Sequence, residues 1–156
     1  MHPTVRLSVR PALRLGKESA GVAAVEFALV LPLLVLLAFG IVEFGLVLYN
    51  KAVITNASRE GARAGVVFKV PAVTVDDIET VVTAYCGDHL VSLGATANPT
   101  SAVVGSCDAA GSALTVTVTY PHTFLVIPDI ATSFFSGDIP GALTLQGVTV
   151  MRCENI

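Results

Sequence analysis

The sequence predicts an α+β protein. A long N-terminal transmembrane helix runs on into a small head built from one short helix and a roughly three-stranded antiparallel sheet. Three observations carry this. No side chain from Phe27 to Val42 is charged, and 44–49 prolong the apolar run after Glu43. Leu114, Val116, Val118 and Tyr120 alternate with Thr115, Thr117 and Thr119, the period-two pattern of a strand buried on one side. Thr74 stands three residues before Asp77, and Ile78, Val81, Val82 and Tyr85 fall at i, i+3, i+4 and i+7. That is the spacing of a capped amphipathic helix.

Composition points the same way. Charged residues are 13% of the chain and the mean hydropathy is +0.75, against about 25% charged in an average soluble domain. A net charge of −3 with no basic stripe argues against nucleic-acid binding. Four of the nine Lys and Arg, namely Arg6, Arg10, Arg14 and Lys17, precede the apolar run. Basic residues beside a span stay in the cytoplasm, which puts the N-terminus inside and residues 50–156 outside.

Residues 1–20, with Pro3, Pro11 and Gly16, read as a basic leader. A secretory signal has an apolar core of about 7–15 residues ending in small residues; here the run is longer, and Ala38 to Gly40 offers only a loose cleavage site. Pro32 inside the apolar helix removes a backbone donor and clashes with the Ala28 carbonyl, so a kink is expected near 28–32. The helix is expected to run from about residue 20 to about 68, roughly 70 Å at ~1.5 Å per residue. Ala57, Gly61 and Gly65 recur every fourth residue and form a small-residue face that lets another backbone or sheet approach closely. Pro71 is expected to end it.

The second helix starts at Thr74, with Gly94 as its expected C-cap. A short strand is expected over 102–106 and a turn over 108–112 around Gly111. The alternating strand 114–120 leads into a long connection, 121–141, carrying Phe124, Leu125, Ile127, Phe134 and Phe135. Residues 142–152 form the last strand, where Gly147 suggests a bulge.

All three cysteines fall on the outer side, where an oxidising compartment would pair two of them. Cys86–Cys107 is the first choice, worth roughly 3 kcal/mol in the chain-entropy model. Cys107–Cys153 competes, since both would end strands on one sheet edge. No Cys or His spacing suits a metal, and no cofactor is implied. His2, His89 and His122 have no catalytic partner at a recognisable spacing, and Ser112 and Ser136 lie in no nucleophile elbow. Asp76, Asp77 and Glu79 sit in a first helical turn, where the macrodipole favours acids without catalysis. Asn56-Ala57-Ser58 has the glycosylation pattern but falls within a predicted helix. The chain reads as a non-enzyme.

Glu26 is the informative residue. A carboxylate in a spanning segment costs several kcal/mol unless paired or neutralised, and it marks function by default; the plain alternative is that it reaches back to the interface or to Lys17. A cut between Gly21 and Val22 would put a new α-amine four residues from Glu26, ~6 Å along the same helix face. The carboxylate could then meet that amine or the one on an adjacent subunit. Glu43 is a second acid, marking the outer interface or pairing with Lys51 or a partner helix.

The segment from Gly21 to Phe27, followed by an apolar helix with Pro32, resembles the processing site of type IV prepilins. More specifically, the chain resembles the TadE-like pseudopilins of tight-adherence (Flp) pilus systems. The resemblance rests on AAVEFALVLPLL at 23–34, ASREGARA at 57–64, TVTVTYPHTF at 115–124 and the terminal Val150-Met151-Arg152 with Glu154. It implies a pilin-like fold and cleavage between Gly21 and Val22 by a membrane prepilin peptidase. It also implies a minor or accessory subunit for tight-adherence (type IVc) pili. Glu26 would carry the pairing with a subunit amine and Phe27 the neighbouring apolar contact. The implied partners are that peptidase, other pilins and pseudopilins, the inner-membrane assembly platform and the membrane, but no nucleic acid. TadF and TadG share the N-terminal pattern. Val22 departs from the phenylalanine that opens many mature type IV pilins.

The layout expected is a leader over 1–21, a transmembrane helix over 22–49, its extramembrane continuation over 50–70 and an extracytoplasmic head over 71–156. The location expected is the bacterial inner membrane, with entry into the pilus left open. The competing reading is a membrane-anchored binding module whose 121–141 connection holds an envelope partner and which never enters a pilus.

Overall fold

The computed structural model describes residues 16–67, 72–93, 98–109, 111–134 and 141–153. The elements run α1 (Gly16–Val66), α2 (Val75–His89), β1 (Thr100–Val104), β2 (Ala113–Thr123), α3 (Ile127–Phe134) and β3 (Ala142–Arg152). The chain divides into two compact units, Met1–Val35 and Leu36–Ile156. In the first, residues 16–35 are all helix, with Pro32 inside it. Its apolar side chains are bare: Leu29 is 75% exposed and Leu33 68%.

The second unit is an α+β head. Its sheet has the order β1-β2-β3 and is antiparallel throughout. β2 is central, and Leu114, Val116, Val118, Tyr120 and His122 are buried while the threonines between them are not. Each fully buried valine contributes about 2 kcal/mol. The buried face meets α2 and the later part of α1, where Ile54, Ala57 and Ala62 are also buried. The small-residue face of α1 does what its spacing suggests. A Cβ on Gly61 would lie 2.6 Å from Val82 Cγ2, and one on Gly65 would lie 2.4 Å from Leu114 Cδ2.

α2 opens on the expected capping box. The Asp77 N–H donates to Thr74 Oγ1 at 3.2 Å, and the Thr74 N–H donates to Asp77 Oδ2 at 2.9 Å. Its buried row is Ile78, Val82 and Cys86, not Ile78, Val81, Val82 and Tyr85; Val81 is at the surface and Tyr85 half-buried. A helix seated on the narrow Gly61–Gly65 groove needs only an i, i+4, i+8 ridge. α2 ends at His89 with Leu90 as its C-cap. Gly94 and Pro71, the expected helix stops, lie outside the described residues.

Four further expectations change. β1 occupies 100–104 and not 102–106, because Gly105 turns the chain at φ +97° with its Cα side against the Ala113 carbonyl. β2 continues through Pro121 to Thr123. β1 pairs with β2 only as far as Thr119, so beyond it β2 has a partner on one side alone and tolerates a proline. The connection over 121–141 is therefore shorter than expected and contains α3. Gly147 makes no bulge: it pairs in register with Val118. It is glycine because α1 passes so close that a Cβ would stand 2.7 Å from the Ile54 carbonyl oxygen.

The disulfide joins Cys107 to Cys153, which corrects the first choice of Cys86–Cys107. The Cys153 N–H donates to the Ser112 carbonyl at 2.9 Å, holding the end of β3 beside the turn that carries Cys107. Cys86 points into the core as a buried thiol, and burial raises its pKa above the usual thiol value.

Candidate functional site

The residues singled out for processing and pairing lie in a row on α1. Nothing stands within 4 Å of a Cβ built on Gly21. Val22 is 60% exposed and Phe27 64%, and Glu26 is exposed with them. Among the described residues the Glu26 carboxylate has no hydrogen-bond or ion-pair partner. Pro32 is half-buried one turn and a half further along. The helix is long and apolar enough to cross a membrane, and none of its most apolar 18-residue window is buried inside the protein. Water is a poor solvent for such a surface; lipid or other apolar helices suit it. The apolar helix therefore suggests membrane anchoring.

A second constellation sits in the head, and sequence reasoning placed none of its three polar members. Glu43 is 3% exposed. Its carboxylate accepts N–H bonds from Leu125 at 3.1 Å, Val126 at 2.6 Å and Ile127 at 3.4 Å. This corrects the reading of Glu43 as a Lys51 partner: Lys51 Nζ instead donates to the Gln146 carbonyl on β3. Two turns on from Glu43, Asn50 is fully buried. Its Nδ2 donates to the Val91 carbonyl at 2.7 Å, and its Oδ1 accepts from the Val91 N–H at 3.1 Å.

Asn50 Nδ2 also stands 3.2 Å from His122 Nδ1. An amide nitrogen only donates, so Nδ1 accepts and the imidazole is neutral with its proton on Nε2. Burial holds His122 below the usual histidine range, opposed by the carboxylate of Glu43. The His122 ring meets Phe124 edge-on at 5.4 Å, and Phe124 packs near Phe44 at 6.3 Å. These contacts staple β2 and its exit to α1. They form no cleft with a nucleophile, and among the described residues no group of His, Cys, Asp and Glu could hold a metal.

The signals for this cluster were present but weak. A carboxylate in an apolar run must find donors, and His122 continues the inward parity of Leu114 to Tyr120. Neither fact names the partner.

Residues 21–63 match the family model described as TadE-like protein. The likeness covers those 43 of the chain's 156 residues. The match opens at Gly21 and takes in Glu26, Glu43 and Asn50, so it covers the bare apolar helix and the part of α1 that the head packs on. Neither the curated proteins nor the solved structures yield a match to the chain.

Proposed function

We propose that the protein is a minor pseudopilin, an accessory subunit for assembling tight-adherence (type IVc) pili. In this reading a prepilin peptidase removes residues 1–21 between Gly21 and Val22. Residues 22–49 anchor the chain in the inner membrane with the N-terminus cytoplasmic. Residues 50–70 prolong the helix, and 71–156 stand outside as the head. The observation that carries the reading is the TadE-like match, which begins at Gly21 and runs along an apolar helix that the protein leaves bare.

The chemistry of Glu26 supports it. A carboxylate exposed among Val22, Val25 and Phe27 is costly in lipid or in a helix bundle unless a cation comes within reach. Processing supplies one, the α-amine of Val22, on the same chain or on a neighbour. Phe27 and the apolar surface beyond it then pack against adjacent pilins and the assembly platform.

The test is intact-mass measurement on protein made alongside its own peptidase. A mature chain starting at Val22 is expected, with Gly21→Ala left unprocessed. A chain retaining its basic leader, or one starting at Ile41, would overturn the reading. Glu26→Ala is expected to insert normally yet to reduce pilus assembly severely; normal pili from that variant would dismiss the pairing.

A further inference from the structure

The head carries an apolar surface that the helix alone does not explain. Between Glu43 and Asn50, α1 has two unlike sides. Glu43, Val47 and Asn50 are buried under the head. On the other side Phe44 is 59% exposed, Leu48 70% and Tyr49 46%. A helix that is apolar on its outer side at this height has not yet left the membrane boundary. About 20 helical residues cross the hydrocarbon, and counted back from Glu43 they reach the segment that opens at Val22.

Whatever packs on α1 at the height of Glu43 therefore meets the same boundary. The three N–H bonds to the Glu43 carboxylate hold Leu125, Val126 and Ile127 at that height. Leu125 is 48% exposed and Val126, Ile127 and Pro128 are half-buried, beside Phe124 and Phe44. The segment 124–134, FLVIPDIATSF, holds one charged residue, Asp129. An apolar turn that opens a short helix at this level has the character of an interfacial element.

We infer that the Leu125–Pro128 turn is a second membrane contact, seated in the headgroup layer of the phospholipid bilayer and held there by Glu43. The inference rests on the anchoring of α1 proposed above. Its occupant is lipid because the exposed apolar surface of α1 adjoins it at Phe44, whose ring packs near Phe124 beside the exposed Leu125. With this contact the head meets the bilayer at a second place.

The chain contains no tryptophan, so single substitutions report position without background. Full-length Leu125→Trp, Phe39→Trp and Val150→Trp are reconstituted in phosphatidylethanolamine–phosphatidylglycerol vesicles, with and without lipids brominated near the headgroup end of the acyl chain. Leu125→Trp is expected to be quenched about twofold by the shallow bromines. Phe39→Trp, within the apolar helix, should be quenched too, and Val150→Trp, on the sheet, should be untouched. Quenching of Phe39→Trp without Leu125→Trp would leave the anchor standing and overturn the second contact. Quenching of neither would remove the anchor and the contact together. Quenching of Val150→Trp as strong as that of Leu125→Trp would mean that the whole head adheres, and would overturn a contact specific to this turn. A blue, unquenched Leu125→Trp emission that reddens as lipid dilutes the protein would assign the surface to a second copy, also overturning it.

Discussion

Asn50 and Val91 are joined by a two-way amide pair, 41 residues apart in the chain. The Asn50 side chain donates to the Val91 carbonyl at 2.7 Å and accepts from its N–H at 3.1 Å. A side chain thus takes the place of a neighbouring strand and satisfies both backbone groups where the chain leaves α2. Asn50→Ala would strand those groups and His122 Nδ1. Buried polar groups left unpaired cost about 1–3 kcal/mol each, and water relieves part of it, so a loss of about 3 kcal/mol is expected. Urea denaturation of the detergent-solubilised chain would measure it. An unchanged midpoint would show that the pair contributes nothing.

The same cluster sets a pH dependence. Burial lowers the folded-state pKa of His122, against a raising influence from Glu43. The unfolded chain takes up the proton first, near pH 6.5. Stability is therefore full above that value and falls as pH drops toward the lower folded-state pKa. One group gives a slope of at most about 1.4 kcal/mol per pH unit. Denaturation between pH 7.5 and 5.5 should show the decline, and His122→Asn, which keeps an acceptor for Asn50, should flatten it. A flat wild-type profile would contradict the buried neutral imidazole.

Two glycines should respond with opposite sign. Gly147→Ala would drive a Cβ to within 2.7 Å of the Ile54 carbonyl oxygen and 3.0 Å of Thr55 Cα, both backbone atoms with nowhere to go. A cost of about 2 kcal/mol is expected. Gly87, inside α2 with nothing within 4 Å, should gain about 0.5–1 kcal/mol on replacement by alanine. Thermal unfolding of the pair of variants checks both signs in one experiment.

The thiols give a chemical check. Cys86 is buried and its pKa raised, so the native protein should show no fast-reacting thiol and one after denaturation. Peptide mapping without reductant should recover Cys107 linked to Cys153 across a sequence separation of 46. Replacing both by serine should cost about 4 kcal/mol in the chain-entropy model. Recovery of a Cys86–Cys107 peptide instead would refute the observed connectivity.

The sequence by itself determined what depends on neighbours along the chain. The uncharged run beside Glu26 specifies an apolar helix; Thr74 and Asp77 specify where α2 starts; the Val–Thr alternation specifies β2 and its inward face. Each is a period or a cap, readable within a dozen residues. The tertiary structure alone decided what depends on apposition. It set Glu43 under the backbone of Leu125 to Ile127, more than 80 residues on, and chose Cys153 over Cys86 as the partner of Cys107. It also required Gly147 to be bare because α1 passes over it, where the local pattern suggested a bulge. Periodicity fixes which side of an element is buried, but it holds no information about which distant group the buried side will meet. Only packing brings a carboxylate to its three N–H donors or one thiol to another.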